Sequence, residues 1–243
     1  MDITRVHRGQ EGKEICYALK VVYKQDGCLT KDLLKCIVIE GTDWFWKRLS
    51  NLKAVERFML QDRLKWNEKY QTASSIDEPA VILKKYIVPG GGQKALDIAA
   101  GNGRNALFLA EQGFKVDAID ISDAGLRLFA GKHPNIHPIC ADLDQFDIPS
   151  KRYALIVNIK FLNRRLFTYI RDGLIPGGTL IFQTFLDTPA ESNSRPHCRH
   201  YLLHENELLH AFLSLRVLFY REAEERQNGD TSTLASLVAM KTR

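Results

Sequence analysis

The chain has 243 residues, 45% of them hydrophobic and 26% charged, with a formal net charge of +5; this suits one large globular α/β domain, alone or with a small addition. Acids alternate with the lysines and arginines, so no basic stripe marks a nucleic-acid partner. No apolar run reaches the roughly 20 residues of a membrane helix, and no apolar core follows Met1 as a secretory signal requires, so a cytoplasmic chain with no membrane partner is expected.

The first 57 or so residues read as a small α+β extension, either an added domain or extra layers packed on the main one. Tyr17, Leu19, Val21 and Tyr23 alternate along 14–24 like a strand with one buried face. Gln25-Asp26-Gly27 signals a turn before a second apolar run over 33–40. Asp43-Trp44-Phe45-Trp46 then leads into a helical pattern reaching Tyr70. The role of this extension is not readable from its residues. The five cysteines, Cys16, Cys28, Cys36, Cys140 and Cys198, form no CxxC pair and read as reduced thiols.

From residue 58 onward the chain alternates strand-like and helix-like patterns in the rhythm of a parallel sheet. A helix is predicted over 77–87, stopped by Pro89-Gly90-Gly91-Gly92, and a strand over 95–99. A helix over 105–112 follows, with Gly113 just past its end. The next strand is 115–121, and Ser122 or Asp123 caps a helix running to about Lys132. Strands are predicted over 136–141, 153–159 and 179–185, with a helix over 164–173 ending before Pro176-Gly177-Gly178. A helix over 205–213 precedes strands 215–222 and 233–241, joined through Asn228-Gly229-Asp230. That turn chemistry makes the last two strands an antiparallel hairpin.

The chemistry concentrates at the carboxyl ends of these strands. Asp97-Ile98-Ala99-Ala100-Gly101-Asn102-Gly103-Arg104-Asn105 reads as a strand end, a glycine turn and the opening of a helix. Glycines there let the backbone approach a ligand, and the helix points free N–H groups at it. Gly101-x-Gly103-x-x-Ala106 also fits the dinucleotide fingerprint, with Asp120 near the ribose position. Three features separate the readings. Asp97, inside the strand end, suits a cationic amine and would repel a pyrophosphate; Asp142 adds an acid after the third strand; and the closing hairpin lacks a second mononucleotide-binding half. Acids at three successive strand ends suit an ammonium, a ribose diol and an exocyclic amine, the groups of S-adenosylmethionine.

On Trp66-Asn67-Glu68-Lys69-Tyr70, the run from Leu96 to Leu109, Val116 to Ser122, Phe161-Leu162-Asn163-Arg164, Pro176-Gly177-Gly178, Arg195-Pro196 and Tyr201 to Leu208, the chain resembles class I S-adenosylmethionine-dependent methyltransferases. It is most similar to the tellurite-resistance-type branch acting on small molecules, and the resemblance runs from about Trp66 to the C-terminus. It implies a three-layer, Rossmann-like α/β fold: a seven-stranded methyltransferase sheet, mostly parallel, with a C-terminal antiparallel hairpin, in a domain over 58–243. It also implies that Asp97 contacts the methionine amine, and that Gly101 and Gly103 let the loop approach the methionyl and ribose portions. Asp120 would grip the ribose hydroxyls, with Ile121 against the adenine face. Asp142 would accept from the adenine amine, with the Leu143 backbone at the ring, and Asn158 would line the transfer site. Ala99 and Asn105 complete the cofactor-binding set. Ala99 stands where the family has glycine, and Asn163 where relatives often have histidine.

Trp66 and Tyr70, at i,i+4 spacing, suit core packing as well as a lid over the cofactor. Arg164 and Arg195 are candidates for drawing the acceptor, although arginine is usually solvated surface; Arg199 falls in the same class. His197, His200 and His204 invite a metal reading, but they span a loop and a helix rather than one helix, and no metal is expected. Methyl transfer from a sulfonium is an in-line displacement that needs alignment first, and a general base only for a protonated acceptor. No catalytic base is therefore assigned. The expected partner is a small-molecule acceptor such as a thiol, a metalloid oxyanion or another soft nucleophile. A nucleic-acid methyltransferase is the rival enzyme, but Asn158-Ile159-Lys160-Phe161 lacks both prolines of the NPPF-type motif. A non-catalytic S-adenosylmethionine-binding protein, with 1–57 as a partner surface, is the third reading.

Overall fold

The computed structural model describes residues 2–8, 15–20, 36–37, 61–72, 76–88, 90–188, 201–227 and 230–242. The chain divides into two compact units, Met1–Met59 and Leu60–Arg243. In the first unit, β1 (Asp2–Arg8), β2 (Ile15–Lys20) and β3 (Cys36–Ile37) form an antiparallel sheet in that order. Strand β1 had no counterpart in the sequence reading. Its register shifts between Arg5 and Arg8, which breaks the two-residue period that would have announced it.

The second unit is built on β4 (Lys94–Ile98), β5 (Lys115–Asp120), β6 (Ile136–Cys140), β7 (Tyr153–Ile159), β8 (Leu174–Phe185), β9 (Arg216–Gln227) and β10 (Asp230–Met240). Their order across the sheet is β6-β5-β4-β7-β8-β10-β9. The first five pair in parallel, and β10 lies antiparallel to both β8 and β9. This is the mostly parallel, seven-stranded sheet with a closing hairpin that was expected. The central strands are nearly continuous apolar runs because helices cover both faces.

One face packs Leu96, Ile98, Ile156, Phe182 and Leu237 against Leu166 and Ile170 of α5 (Leu166–Gly173) and Leu208 of α6 (Glu207–Ala211). The other packs Ala95, Val157 and Ile181 against Leu83 of α2 (Val81–Tyr86), Leu109 of α3 (Arg104–Glu111) and Leu126 of α4 (Asp123–Arg127). A further helix, α1, covers residues 61–71. Among the described residues no helix is long and apolar enough to cross a membrane.

Several predicted elements change length for identifiable reasons. The helix expected over 77–87 begins only at Val81. Pro79 disfavours helical backbone at the residue before it, and residues 77–80 are tied to the glycine turn instead. The helix expected to reach Lys132 keeps regular geometry only to Arg127. Beyond it, Phe129 N–H donates to the Leu126 carbonyl and Lys132 N–H to that of Phe129, the tighter bonding of a closing turn. Strand β8 passes through Pro176-Gly177-Gly178, where the sequence suggested a break. A register shift against β7 between Tyr153 and Leu155 and a φ of 78° at Gly177 absorb the irregularity.

At the amino edge of the sheet, Asp117 is a buried acidic hub. Its carboxylate accepts from the Tyr153 hydroxyl at 3.0 Å and lies 3.3 Å from His137 Nδ1, 3.5 Å from Lys94 Nζ and 3.7 Å from Arg152 Nε. Tyr153 is itself only 1% exposed. Asp117→Ala leaves that hydroxyl orphaned and is expected to cost about 1–3 kcal/mol, read as a lower urea midpoint with the slope unchanged.

Candidate active site

Strand order reverses between β4 and β7, where the chain winds outward in both directions. In open parallel sheets a crevice forms at that point, beyond the carboxyl ends of the strands. Ile98 of β4 pairs with Asn158 of β7 across it. The chain leaves β4 through a left-handed run, with φ of 54° at Ala99, 58° at Gly101 and 81° at Gly103, and then starts α3. Ala99 is the one side chain in this run held at positive φ, at a cost of about 1–2 kcal/mol. Ala99→Gly is expected to stabilise the protein by about 1 kcal/mol net of backbone entropy, a rise of roughly 2–4 °C in melting temperature by differential scanning fluorimetry.

Asp97 is 1% exposed, and neither carboxylate oxygen has a hydrogen-bond partner. Burial pushes its pKa up to about 7; the Asp120 charge adds to this, and Arg104 and the nearby Ala106 N–H oppose it. A central-strand carboxylate without a partner is costly unless something brings it one. Asp120, at the end of β5, is satisfied differently. One oxygen accepts from Gly101 N–H and the other from Ser122 N–H, both at 2.8 Å. Its pKa is also raised by burial, against those hydrogen bonds. Each oxygen keeps a lone pair for a further donor.

Asp142, past the end of β6, accepts from Asp144 N–H at 2.8 Å in a tight turn. The Leu143 side chain is buried, and its carbonyl accepts from Asn163 Nδ2 at 3.4 Å. Ile121 is half-buried beside Ser122. Asn158 is buried and donates from Nδ2 to the Phe161 carbonyl at 2.7 Å, bracing the turn after β7. The strand ends thus bring Asp97, Ala99, Gly101, Gly103, Asp120, Ile121, Asp142, Leu143 and Asn158 to one edge of the sheet.

Other sequence candidates are engaged elsewhere. Asn105 is buried, and its Oδ1 accepts from Ala80 N–H at 3.1 Å. Asn102 Nδ2 reaches Asp77 at 3.2 Å, so these two asparagines pin segment 77–80 to the glycine turn. Arg164 holds Glu207 through both oxygens, at 2.6 and 2.8 Å, and the Leu202 carbonyl at 2.9 Å. Arg195, Arg199, His197, Cys198 and His200 lie outside the described residues. Among the described residues no cluster of His, Cys, Asp and Glu could hold a metal.

Trp66 and Tyr70 stack with ring centroids 6.2 Å apart, and Lys69 Nζ lies 4.6 Å from the Trp66 ring. A side chain at Gly101 would collide with the Tyr70 hydroxyl, so this phenol lies directly on the glycine turn. Burial, then the Asp120 charge, raises the Tyr70 pKa well above the usual phenol range. Asn67 anchors α1: it donates to Asp123 at 2.8 Å and accepts from Ser122 Oγ at 2.7 Å and Ala124 N–H at 3.2 Å. Sequence reasoning gave Asn67 no role; its only signal was the neighbouring Trp66 and Tyr70.

Residues 95–178 match the family described as a methyltransferase domain. No curated protein sequence matches the chain. Among solved structures, an S-adenosylmethionine-dependent methyltransferase from Mesorhizobium loti is similar at 19% identity and a TM-score of 0.55, covering 65% of this chain and 95% of that one. TehB from Haemophilus influenzae is similar at 22% identity and 0.57, covering 72% of this chain and 65% of TehB. Phosphoethanolamine N-methyltransferase 2 from Haemonchus contortus, in complex with S-adenosyl-L-methionine, is similar at 15% identity and 0.56, covering 73% of this chain and 56% of that one. Identities this low carry the fold, and the family match carries the domain type over the central strands. Residues 95–178 thus match a methyltransferase domain, and the second unit shares the fold of S-adenosylmethionine-dependent methyltransferases.

Proposed function

We propose that this chain methylates a small-molecule acceptor with a soft nucleophilic atom, such as a thiol or a metalloid oxyanion, through a catalytic domain over 58–243 preceded by a separate extension. The observation that carries the cofactor assignment is Asp97: buried, unpartnered and set at the end of the central strand beside a glycine turn. An ammonium group is the partner that such a carboxylate lacks. Asp120, held by Gly101 and Ser122, has lone pairs left for a ribose diol, and the Gly101–Gly103 backbone permits close approach. Ile121, Asp142 and the Leu143 backbone are assigned to the adenine. Ala99 contributes its backbone, and Asn105 acts indirectly by holding residue 80 against the turn.

When bound, S-adenosylmethionine supplies a methyl group already activated by the positive sulfur. The protein's task is alignment and exclusion of water, a contribution on the order of 7–11 kcal/mol in favourable cases. Trp66 and Tyr70 close the turn from the α1 side, and Asn158 borders the transfer position. Arg164, tied to Glu207, is assigned to holding α5 and α6 together. Arg195 remains a candidate for drawing the acceptor.

Support for a small acceptor comes from the phosphoethanolamine N-methyltransferase among similar folds, and from the lack of a basic stripe in the sequence. Isothermal titration of the full chain with S-adenosylmethionine and S-adenosylhomocysteine tests the first half, with saturable binding by both expected. Silence at about millimolar cofactor would remove the enzyme reading. A transfer assay with labelled methyl donor, comparing thiols, selenite and tellurite with RNA, tests the second half. Label appearing in RNA alone would favour the nucleic-acid alternative.

A further inference from the structure

We propose that Asn67 is a positioning residue of the methyl-donor site, seating α1 so that Tyr70 covers the methionine end of the donor; this rests on the methyltransferase reading above. Arg63, Asn67 and Tyr70 recur at i, i+4 and i+7 along α1, so they share one face of the helix. That face meets the start of α4. Asn67 Nδ2 donates to Asp123 Oδ1 at 2.8 Å, and its Oδ1 accepts from Ser122 Oγ at 2.7 Å and from Ala124 N–H at 3.2 Å. Ser122 Oγ itself accepts from Gly125 N–H at 3.0 Å. The open N–H groups in the first turn of α4 are thus shared between its own cap and an amide brought by another helix.

Apolar burial does little to hold α1 in place. Among the described residues, none of its side chains belongs to the buried core, and Leu64 is exposed. Arg63 adds longer contacts to Asp123, at 3.3 and 3.4 Å. The seat of the helix is therefore polar, and Asn67 makes its shortest bonds. Tyr70 depends on that seat, because among the described residues its hydroxyl makes no hydrogen bond of its own. The ring lies in a slot left by two glycines. A Cβ at Gly101 would collide with the hydroxyl, and one at Gly125 would come within 2.9 Å of the ring and 2.7 Å of the Gly101 carbonyl. Gly125 is in the body of α4 without left-handed backbone, so what glycine supplies there is room for the phenol and the turn.

The same bonds run on into the donor site. Ser122, fully buried, donates from its backbone N–H to Asp120, which also accepts from Gly101 N–H, both at 2.8 Å. Hydrogen bonds therefore join Asn67 through Ser122 to the carboxylate assigned to the ribose. At the other end of α1, Asp62 reaches the turn after β6: burial, then the charges of Asp142 and Asp62, raise the Asp144 pKa. Helix α1 thus runs along the donor crevice, from the turn assigned to the adenine to the glycine turn. A cover seated this way retards escape of a bound ligand, so loosening it acts on the dissociation rate.

The test follows S-adenosylhomocysteine on and off the full chain by surface plasmon resonance. Asn67→Ala is expected to speed dissociation about tenfold and to leave association within about twofold. In a Tyr70→Ala background, where dissociation is already fast, Asn67→Ala should add less than about twofold, because a residue acting through Tyr70 has nothing left to act on. Asn67→Asp sets a carboxylate against Asp123 and should also speed dissociation. Adding Asp123→Asn puts a donor back opposite an acceptor, and should return the rate to within about threefold of the parent. A merely structural role would lower the melting temperature and leave the dissociation rate of the folded protein unmoved. Unchanged dissociation in Asn67→Ala, its full effect persisting in the Tyr70→Ala background, or no recovery in Asn67→Asp with Asp123→Asn would overturn the proposal. If Asn67→Ala does not fold, the Asn67→Asp variants, with and without Asp123→Asn, decide it. Failure of the parent chain to bind S-adenosylhomocysteine is a separate result, and it removes the methyltransferase reading itself.

Discussion

Asp97→Asn is expected to weaken S-adenosylhomocysteine binding by about 100-fold, or about 3 kcal/mol, while making the ligand-free protein more stable above pH 7. Both effects come from one carboxylate. Burial raises its pKa from 3.8 to about 7, so between those values the folded state holds a proton that the unfolded state has released. Stability therefore falls as pH rises from about 4 to about 7, by about 1.4 kcal/mol per unit and on the order of 4 kcal/mol in all. Above pH 7 the penalty is complete and the curve is flat for this group. Asparagine carries no charge but is still an unpaired buried amide, so the net gain at pH 8 is about 2 kcal/mol. That corresponds to a melting temperature roughly 4–8 °C higher.

The same ionisation controls binding. A cationic amine needs Asp97 as carboxylate, so binding below pH 7 must expel a proton. Affinity for S-adenosylhomocysteine should fall about tenfold per pH unit below 7, with about one proton released, measured by titration in buffers of different ionisation enthalpy. Asp97→Asn should abolish both the slope and the release. A pH-independent affinity in the parent chain would refute the pairing of Asp97 with the amine.

Gly103→Ala is the second large effect. Its φ of 81° is unfavourable for any side chain, and an added Cβ would overlap the Phe129 ring, which is fully buried. The left-handed backbone costs about 1–2 kcal/mol and the overpacking about 1–3 kcal/mol, so a loss on the order of 2–5 kcal/mol in urea unfolding is expected. Gly101→Ala makes an informative contrast. Its φ of 58° carries similar strain, but the Cβ meets the hydroxyl tip of Tyr70 on α1. That ring can swing outward, so the stability loss should be smaller, and the greater effect should fall on cofactor affinity as the cover over the turn opens.

The local parts of this site were legible in the residues. A buried strand, a Gly-x-Gly turn and a strand-end acid each have signatures within a few residues. The parallel strands from 95 to 159 accordingly appear with ends shifted by a residue or so. Elements whose limits depend on distant partners were less legible. Helix α2 starts late because Asn102 and Asn105, from another segment, capture the residues before it. Strands β9 and β10 outrun their apolar patterns because they pair with each other beyond them, Asp230–Thr233 opposite Glu224–Gln227.

By itself, the sequence determined the order of strands and helices in the second unit, the antiparallel closing hairpin and the acids at successive strand ends, because period, turn chemistry and capping act over short stretches of chain. Only the tertiary structure decided which polar side chains remain available. Asn105 spends its oxygen on Ala80 and Arg164 its guanidinium on Glu207, whereas neither carboxylate oxygen of Asp97 has a hydrogen-bond partner. Nothing in the neighbouring residues could settle those outcomes. Whether a buried polar group is satisfied depends on atoms that folding brings from far along the chain.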